Sequence, residues 1–299
     1  MTSRSRDRVA DVRSVVVAHM PDYWIESVAP LGEGLDNLAY EVNGELIVRF
    51  SKEPDLARRT ALVSHEARVL AAVADISPLP VPEPAFTVAE QGCLAYRKLP
   101  GTPLLDMPRH RRSAHGTSIA ATLGELLAAL HAVPVDRLAG LVEADHQPPA
   151  EWRHVATENY ATVAGRVPVA HRGPVEAFLG AAPPHGGCTP AFSHNDLGIE
   201  HVLIDPATWT VTGIIDWSDA AVVDPAHDFG LLLRDLGPAA VRAALSGCRT
   251  DTDGLAALSE RAVFYARCSV FEDLAHGIET GQGKYVDKSL AALEWLFPT

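Results

Sequence analysis

The chain has 299 residues, of which 47% are hydrophobic and 21% charged, with a formal net charge of −13. This supplies enough apolar material for one large core or two medium lobes and excludes global disorder. The acidity argues against a nucleic-acid binder, which would carry a basic stripe, and suits either a cationic small-molecule partner or plain solubility. Four cysteines, Cys93, Cys188, Cys248 and Cys268, are scattered without a CxxC, so neither a disulfide framework nor a zinc site is expected. The arginine-bearing start MTSRSRDRVA has no apolar run behind it and does not read as a signal peptide. No stretch approaches the ~18 apolar residues of a membrane helix. A reducing cytoplasm is the expected location. A monomer is the expected state, because no coiled-coil pattern or apolar surface stripe is evident.

Residues 7–20 place Val9, Val12, Val15 and Val16 at helical spacing among charges. A glycine-punctuated segment, Pro30 to Asn37, precedes two strand-like runs, Leu38 to Val42 and Glu45 to Phe50, joined by Asn43-Gly44. Asn-Gly is a strong hairpin signal, because both residues tolerate positive φ in a type I′ turn. Residues 55–74 read as a helix with Leu62, Val63, Leu70 and Val73 on its apolar face. The proline-rich stretch Pro78 to Pro84 must be an extended connector. Phe86 to Val88 and Cys93 to Leu99 form another strand pair around Gln91-Gly92, and Pro100-Gly101 breaks the pattern. The hinge between lobes is placed there.

Beyond it the chain is mainly helical. Ile119, Leu123, Leu126, Leu127 and Leu130 keep helical spacing, and residues 151–164 form a further helix. Phe192 to Trp217 is again strand and loop. Asp228 to Phe297 is mostly helical, with breaks at Gly237-Pro238 and at Thr250 to Gly254. The reading is an α+β chain of two lobes, residues 1–99 and residues 100–299.

The chemistry concentrates in Ser193 to Asp205. A polar cluster runs directly into an apolar strand, Val202 to Ile204. A turn-bearing segment then leads to a return strand, Val211 to Ile215, that ends in Asp216-Trp217. Such a hairpin brings Asp196, His201 and Asp216 to one mouth. A carboxylate, an imidazole and a second carboxylate there suit metal-assisted phosphoryl transfer, one carboxylate orienting an attacking hydroxyl and the other groups holding Mg²⁺ against phosphates. Taken alone, an Asp in a loop is as readily a turn former or a cap. The order and spacing decide for chemistry: His194 and Asp196 match the first positions of the kinase catalytic loop His-x-Asp-x-x-x-x-Asn, His201 stands at the Asn, and Asp216 follows after a hairpin.

From about residue 30 onward the sequence resembles the aminoglycoside phosphotransferase family, small-molecule kinases of protein-kinase-like fold. The resemblance rests on His194 to Asp205, Gly213 to Trp217, and Asp224-Pro225-Ala226-His227-Asp228-Phe229. It implies that residues 1–99 bind the nucleotide and that residues 100–299 carry the catalytic loop, the metal site and the substrate pocket. It makes Asp196 the catalytic carboxylate, with His201 and Asp216 at the metal. It makes Gly32 and Gly34 the loop over the nucleotide phosphates, where missing Cβ atoms let backbone N–H groups approach an anion, with Asn37 as a further donor. A plain turn is the alternative. Arg49 stands where the family usually has a lysine that pairs the phosphates; a solvated strand arginine is the other reading. Glu66, four residues from both Leu62 and Leu70, is expected to point inward and supply the partner of Arg49; a flank position at the edge of the apolar stripe is the other reading. Arg97 and Leu99 would offer backbone groups to the purine of ATP or GTP.

His201 in place of Asn departs from the family pattern, since Mg²⁺ prefers oxygen ligands and imidazole suits softer metals. His201 either joins the metal or hydrogen-bonds Asp196 or a phosphate. The same residue, with the arginine at the lysine site, is similar to the macrolide branch, which is associated with GTP. Asn195 replaces the usual glycine. His194 reads as structural, and His131 and His227 as core or surface groups. Asp224 and Asp228 orient the loop, cap a helix or face the substrate, with capping expected of Asp228. Glu272 and Asp273, on a helix from Arg261 to His276, either meet a substrate ammonium or face solvent. Trp152 and Tyr160 either line an apolar wall or pack in the core. The leading expectation is an antibiotic O-phosphotransferase acting on a hydroxylated, aminoglycoside or macrolide acceptor. The alternatives are a metabolite kinase, a non-catalytic nucleotide binder and a metal-dependent phosphohydrolase.

Overall fold

The computed structural model describes residues 3–34, 36–138, 140–144, 147–184, 187–248 and 251–299. Its chain divides into two compact units, residues 1–75 with 80–99, and residues 76–79 with 100–299.

The first unit opens with helix α1 (Ser3–His19). A five-stranded antiparallel sheet follows, of β1 (Val28–Glu33), β2 (Asn37–Val42), β3 (Leu46–Ser51), β4 (Pro84–Val88) and β5 (Cys93–Arg97), in the order β1-β2-β3-β5-β4. Val12, Val15 and Val16 of α1 close one core against Tyr40, Val42, Val48 and Phe50. The β2–β3 turn has the expected geometry: Asn43 and Gly44 have φ of 56° and 75°. Asn43 does more than turn. Its Oδ1 accepts from Glu26 N and Ser27 N, and its Nδ2 donates to Trp24 O, tying the hairpin to the segment before β1.

Helix α2 (Leu56–Ile76) buries Val63, Val69, Leu70 and Val73. Leu62 was expected on this face but is 48% exposed. Leu62 and Val63 are neighbours about 100° apart on the helix, and only Val63 shares the stripe of Leu70 and Val73. Two further corrections concern strands. The glycine segment is partly a strand, with Gly32 in β1 opposite Ala39. Strand β5 stops at Arg97, so Leu99 lies beyond the ladder. Leu35 lies outside the described residues.

The second unit carries β6 (Thr102–Pro103), α3 (Arg109–His131), α4 (Pro149–Val163), α5 (Val169–Gly180), β7 (Ala191–Ser193), β8 (Val202–Ile204), β9 (Val211–Ile214), β10 (Ala221–Val223), α6 (Ala226–Leu236), α7 (Pro238–Leu245), α8 (Thr252–Glu279) and α9 (Gly283–Leu296). Short 3₁₀ turns supplement these helices. Strands β6, β8 and β9 form one small antiparallel sheet, and β7 pairs with β10 in another. Gly101, at φ 115°, passes so close to the β8–β9 hairpin that a Cβ there would meet Ile204 O at 2.8 Å. No larger residue fits without displacing that strand.

The predicted stripe of α3 is fully buried from Ile119 to Leu130. Helix α6 is buried along its length from Ala226 to Arg234. The expected break at 250–254 is shorter, because Asp251 caps α8 by accepting from Gly254 N at 2.8 Å, which places Asp253 and Gly254 inside the helix. Thr250 lies outside the described residues. No helix among the described residues is long and apolar enough to cross a membrane.

Candidate active site

The loop from His194 to His201 links β7 to β8, and its backbone is held at several points. Asn195 N and Leu197 N donate to the two carboxylate oxygens of Asp228, at 3.2 and 3.3 Å, and Ile199 N donates to Asp235 Oδ2 at 3.1 Å. Asn195 has φ of 65°. Asparagine tolerates this left-handed conformation better than most side chains, which accounts for Asn at a position where glycine is usual.

His194 is fully buried. Its Nε2 donates to Ile215 O at 3.1 Å, and its Nδ1 accepts from Asp196 N at 3.3 Å. Burial pushes its pKa down to about 3, so the ring is neutral. It serves as a strut between the loop and the end of β9.

His201 Nδ1 lies 2.8 Å from Asp196 O. A carbonyl only accepts, so Nδ1 carries a proton, and whenever the ring is neutral its lone pair is on Nε2. That Nε2 is 3.8 Å from Asp216 Oδ2, while Nδ1 is also 3.4 Å from Asp196 Oδ2. Asp196, His201 and Asp216 therefore meet at one mouth of the hairpin. The surrounding protein partly desolvates Asp196, whose side chain stays 43% exposed at the mouth, and raises its pKa to about 7, with His201 opposing the rise. For His201, burial works against the charged ring, but Asp196, Glu200 and Asp216 outweigh it and raise its pKa. Asp216 has φ of 63°, and its Oδ1 accepts from Ser218 Oγ at 2.9 Å.

Asp228 does not cap α6, as expected, but sits within its first turn. It is fully buried and binds the loop instead. Burial raises its pKa to about 6, against the pull of its backbone donors. Asp224 takes the terminal position: its Oδ1 accepts from Ala226 N at 3.0 Å, and its carboxylate receives Arg261 Nε at 2.7 Å, Arg261 Nη2 at 3.2 Å and Tyr265 Oη at 3.2 Å.

Asp273, offered as a partner for a substrate ammonium, is buried instead, with its Oδ2 2.8 Å from Lys288 and 3.5 Å from Arg234. Its neighbour Glu272 is exposed on α8. Lys288 also reaches Glu200 at 2.8 Å and Asp235 at 3.3 Å. This buried network of Glu200, Arg234, Asp235, Asp273 and Lys288 backs the loop. No local pattern announced it, although Asp235 repeats the face of Asp228 about two turns along α6. Tyr160 packs edge-on against Phe271 in the core. Trp152 lines a cavity beside Asn195.

In the first unit, Arg49 Nη1 donates to Glu66 Oε1 at 2.6 Å, and both side chains are largely buried. Gly34 N donates to Asn37 O at 3.0 Å, and Lys52 Nζ donates to Gly34 O at 2.7 Å, a clasp on the glycine turn that the sequence did not disclose. Asn37 opens β2 opposite Ser51. Arg97 ends β5 opposite Leu46.

A family model described as phosphotransferase enzyme family matches residues 27–261. The chain belongs to this family. No curated protein matches it. Solved phosphotransferases share its fold. The GDP complex of a wild-type aminoglycoside 2′-phosphotransferase of type IIIa is 23% identical, with a TM-score of 0.70 over 95% of this chain and 97% of that one. A macrolide 2′-phosphotransferase type I is 23% identical, with a TM-score of 0.63 over 98% of each chain. The macrolide 2′-phosphotransferase of Brachybacterium faecium is 24% identical, with a TM-score of 0.59 over 94% and 96%. At these identities the likeness establishes the protein-kinase-like, bilobal α+β fold of this phosphotransferase.

Proposed function

We propose that this phosphotransferase moves the γ-phosphate of ATP or GTP to a hydroxyl of an antibiotic, a macrolide or an aminoglycoside, in the cytoplasm, and so confers resistance. The observation that carries the reading is the convergence of Asp196, His201 and Asp216 on a loop anchored by Asp228, within a chain of phosphotransferase family. Asp196 orients the acceptor hydroxyl and takes its proton as the oxygen bonds to the γ-phosphorus. The bond from that phosphorus to the bridging oxygen breaks, and the nucleoside diphosphate leaves. A raised pKa near 7 suits a group that takes up a proton near neutrality.

The donors present fit a divalent cation such as Mg²⁺. Among the described residues no three His, Cys, Asp or Glu side chains form a complete metal site. Asp216 and the Nε2 of a neutral His201 ring would supply a partial one, leaving the remaining positions to nucleotide phosphate oxygens and water, as Mg²⁺ commonly requires. When bound, the ion would neutralise charge on the transferring phosphoryl group. In the first unit, Arg49 held by Glu66 is assigned to the nucleotide phosphates, the clasped turn with Gly32, Gly34 and Asn37 to their cover, and the backbone at Arg97 and Leu99 to the purine.

The test incubates the purified protein with Mg²⁺, ATP or GTP, and a panel of macrolides, aminoglycosides and other hydroxylated antibiotics, and reads acceptor mass. A phosphate-sized gain on one class supports the reading. No gain on any member, with nucleotide bound, counts against it.

A further inference from the structure

The second unit has a half-open cavity of about 250 Å³ beside the loop, and Asn195, the residue before Asp196, lines it. Trp152, His227 and Tyr265 form one wall. Their ring centroids lie 4.8, 5.5 and 5.4 Å apart, and Tyr265 meets the other two edge-on, at 81° and 86°. Val223 and prolines from the start of α4 add apolar surface. A larger cavity of about 640 Å³, lined by alanines of α3 and by Leu258, shares Arg261 with the first.

The charge lining these spaces is specific. Among the described residues, the only carboxylate in either lining is Asp224. It is engaged by two Arg261 nitrogens, Nε and Nη2, and by the Tyr265 hydroxyl. Arg261 and Asp224 are 15% and 10% exposed, so little water reaches this fork. A polycation entering the space meets a fixed guanidinium and a carboxylate already satisfied. It would give up hydration without gaining a partner. The aromatic wall does not reverse this. A cage for an onium group needs ring faces turned towards the ligand, and here the rings pack edge to face against one another. What the wall offers is apolar contact.

We propose that this cavity, together with the larger one that shares Arg261, receives the acceptor and selects a bulky hydroxylated molecule with an apolar face and at most one positive charge, as in macrolides, over polycationic aminoglycosides, with Arg261 as the specificity-determining residue. The inference rests on the phosphotransfer reading above and narrows its acceptor.

The test compares erythromycin, with a single basic amine, and kanamycin, a polyamine, on the wild type, Arg261→Gln and Trp152→Ala. Binding without nucleotide is measured by calorimetry, and kcat/KM for each acceptor with nucleotide present. Nucleotide affinity serves as the folding control, Arg261→Met, which also removes the charge, replaces Arg261→Gln if that variant fails to fold, and Arg261→Lys is the charge-keeping control. The wild type is expected to bind erythromycin at least about tenfold more tightly than kanamycin. Arg261→Gln should shift that ratio towards kanamycin by about tenfold, and Trp152→Ala should weaken erythromycin by a similar factor. Arg261→Lys should keep rejecting kanamycin. Binding that follows this pattern without any phosphoryl transfer would support the cavity's selectivity while removing the phosphotransfer reading. Transfer to either acceptor with ratios unmoved by both substitutions would keep that reading and overturn this inference. So would a wild-type preference for kanamycin, or binding of neither acceptor.

Discussion

Asp228 and Asp235, about two turns apart on one face of α6, hold successive parts of the same loop: Asp228 accepts from Asn195 N and Leu197 N, and Asp235 accepts from Ile199 N. The loop that carries Asp196 is thus pinned from one rigid helix. Asp235 is fixed in turn by Arg234, at 2.7 Å, and by Lys288.

Removing either anchor should misplace Asp196 without touching the nucleotide. Asp228→Ala is expected to lower kcat by about a hundredfold while leaving the nucleotide KM within about twofold. It should also cost about 2–3 kcal/mol of stability, because backbone donors lose their acceptor. Asp235→Ala should behave similarly, and the double variant should fall short of the summed losses, since both loosen one loop. Steady-state kinetics and urea denaturation of the set check this.

His201 should set the metal preference. With imidazole beside Asp216, activity with Mn²⁺ relative to Mg²⁺ should be higher than in His201→Asn, where an amide oxygen replaces the ring nitrogen. The ratio of kcat/KM with the two ions is the measurement, and an unchanged ratio would remove His201 from the metal site.

Arg49 depends on Glu66 for its position. Glu66→Gln keeps the size but removes the charge, and should raise the nucleotide KM by about tenfold, the scale of one charge-assisted hydrogen bond. The acceptor KM should hardly move. Titrating nucleotide at saturating acceptor reads the effect.

His131 gives a pH signature of folding. Burial pushes its pKa from 6.5 down to about 4, so between those values the unfolded chain binds a proton that the native ring refuses. Stability from this group is present above pH 6.5 and is lost as pH falls below it, at up to about 1.4 kcal/mol per pH unit. Relative to His131→Gln, the wild type should lose stability more steeply on acidification through this window. Denaturation midpoints at several pH values show the difference.

The parts legible in the sequence were those fixed by neighbours along the chain. Asn43-Gly44 set its hairpin because turn chemistry is local. The strand Val202 to Ile204 and its return to Ile214 brought Asp196, His201 and Asp216 together because a short hairpin leaves little freedom of register. Glu66 faced inward because helical spacing tied it to Leu70. The illegible parts depended on distant partners. Asp228 looked like a cap because its true partners lie 31 and 33 residues earlier. Asp273 looked accessible because Lys288, which buries its charge, belongs to another helix. The pairing of Asp224 with Arg261 spans 37 residues and leaves no local trace. Asn195 became intelligible only from its φ.

The central claim is that Asp196 acts on the acceptor hydroxyl. The most direct measurement is single-turnover transfer with saturating nucleotide and acceptor, comparing wild type with Asp196→Asn. The account predicts that nucleotide and acceptor affinities persist while the transfer rate falls by about a hundredfold or more. An Asp196→Asn variant that transfers phosphate at the wild-type rate would contradict it.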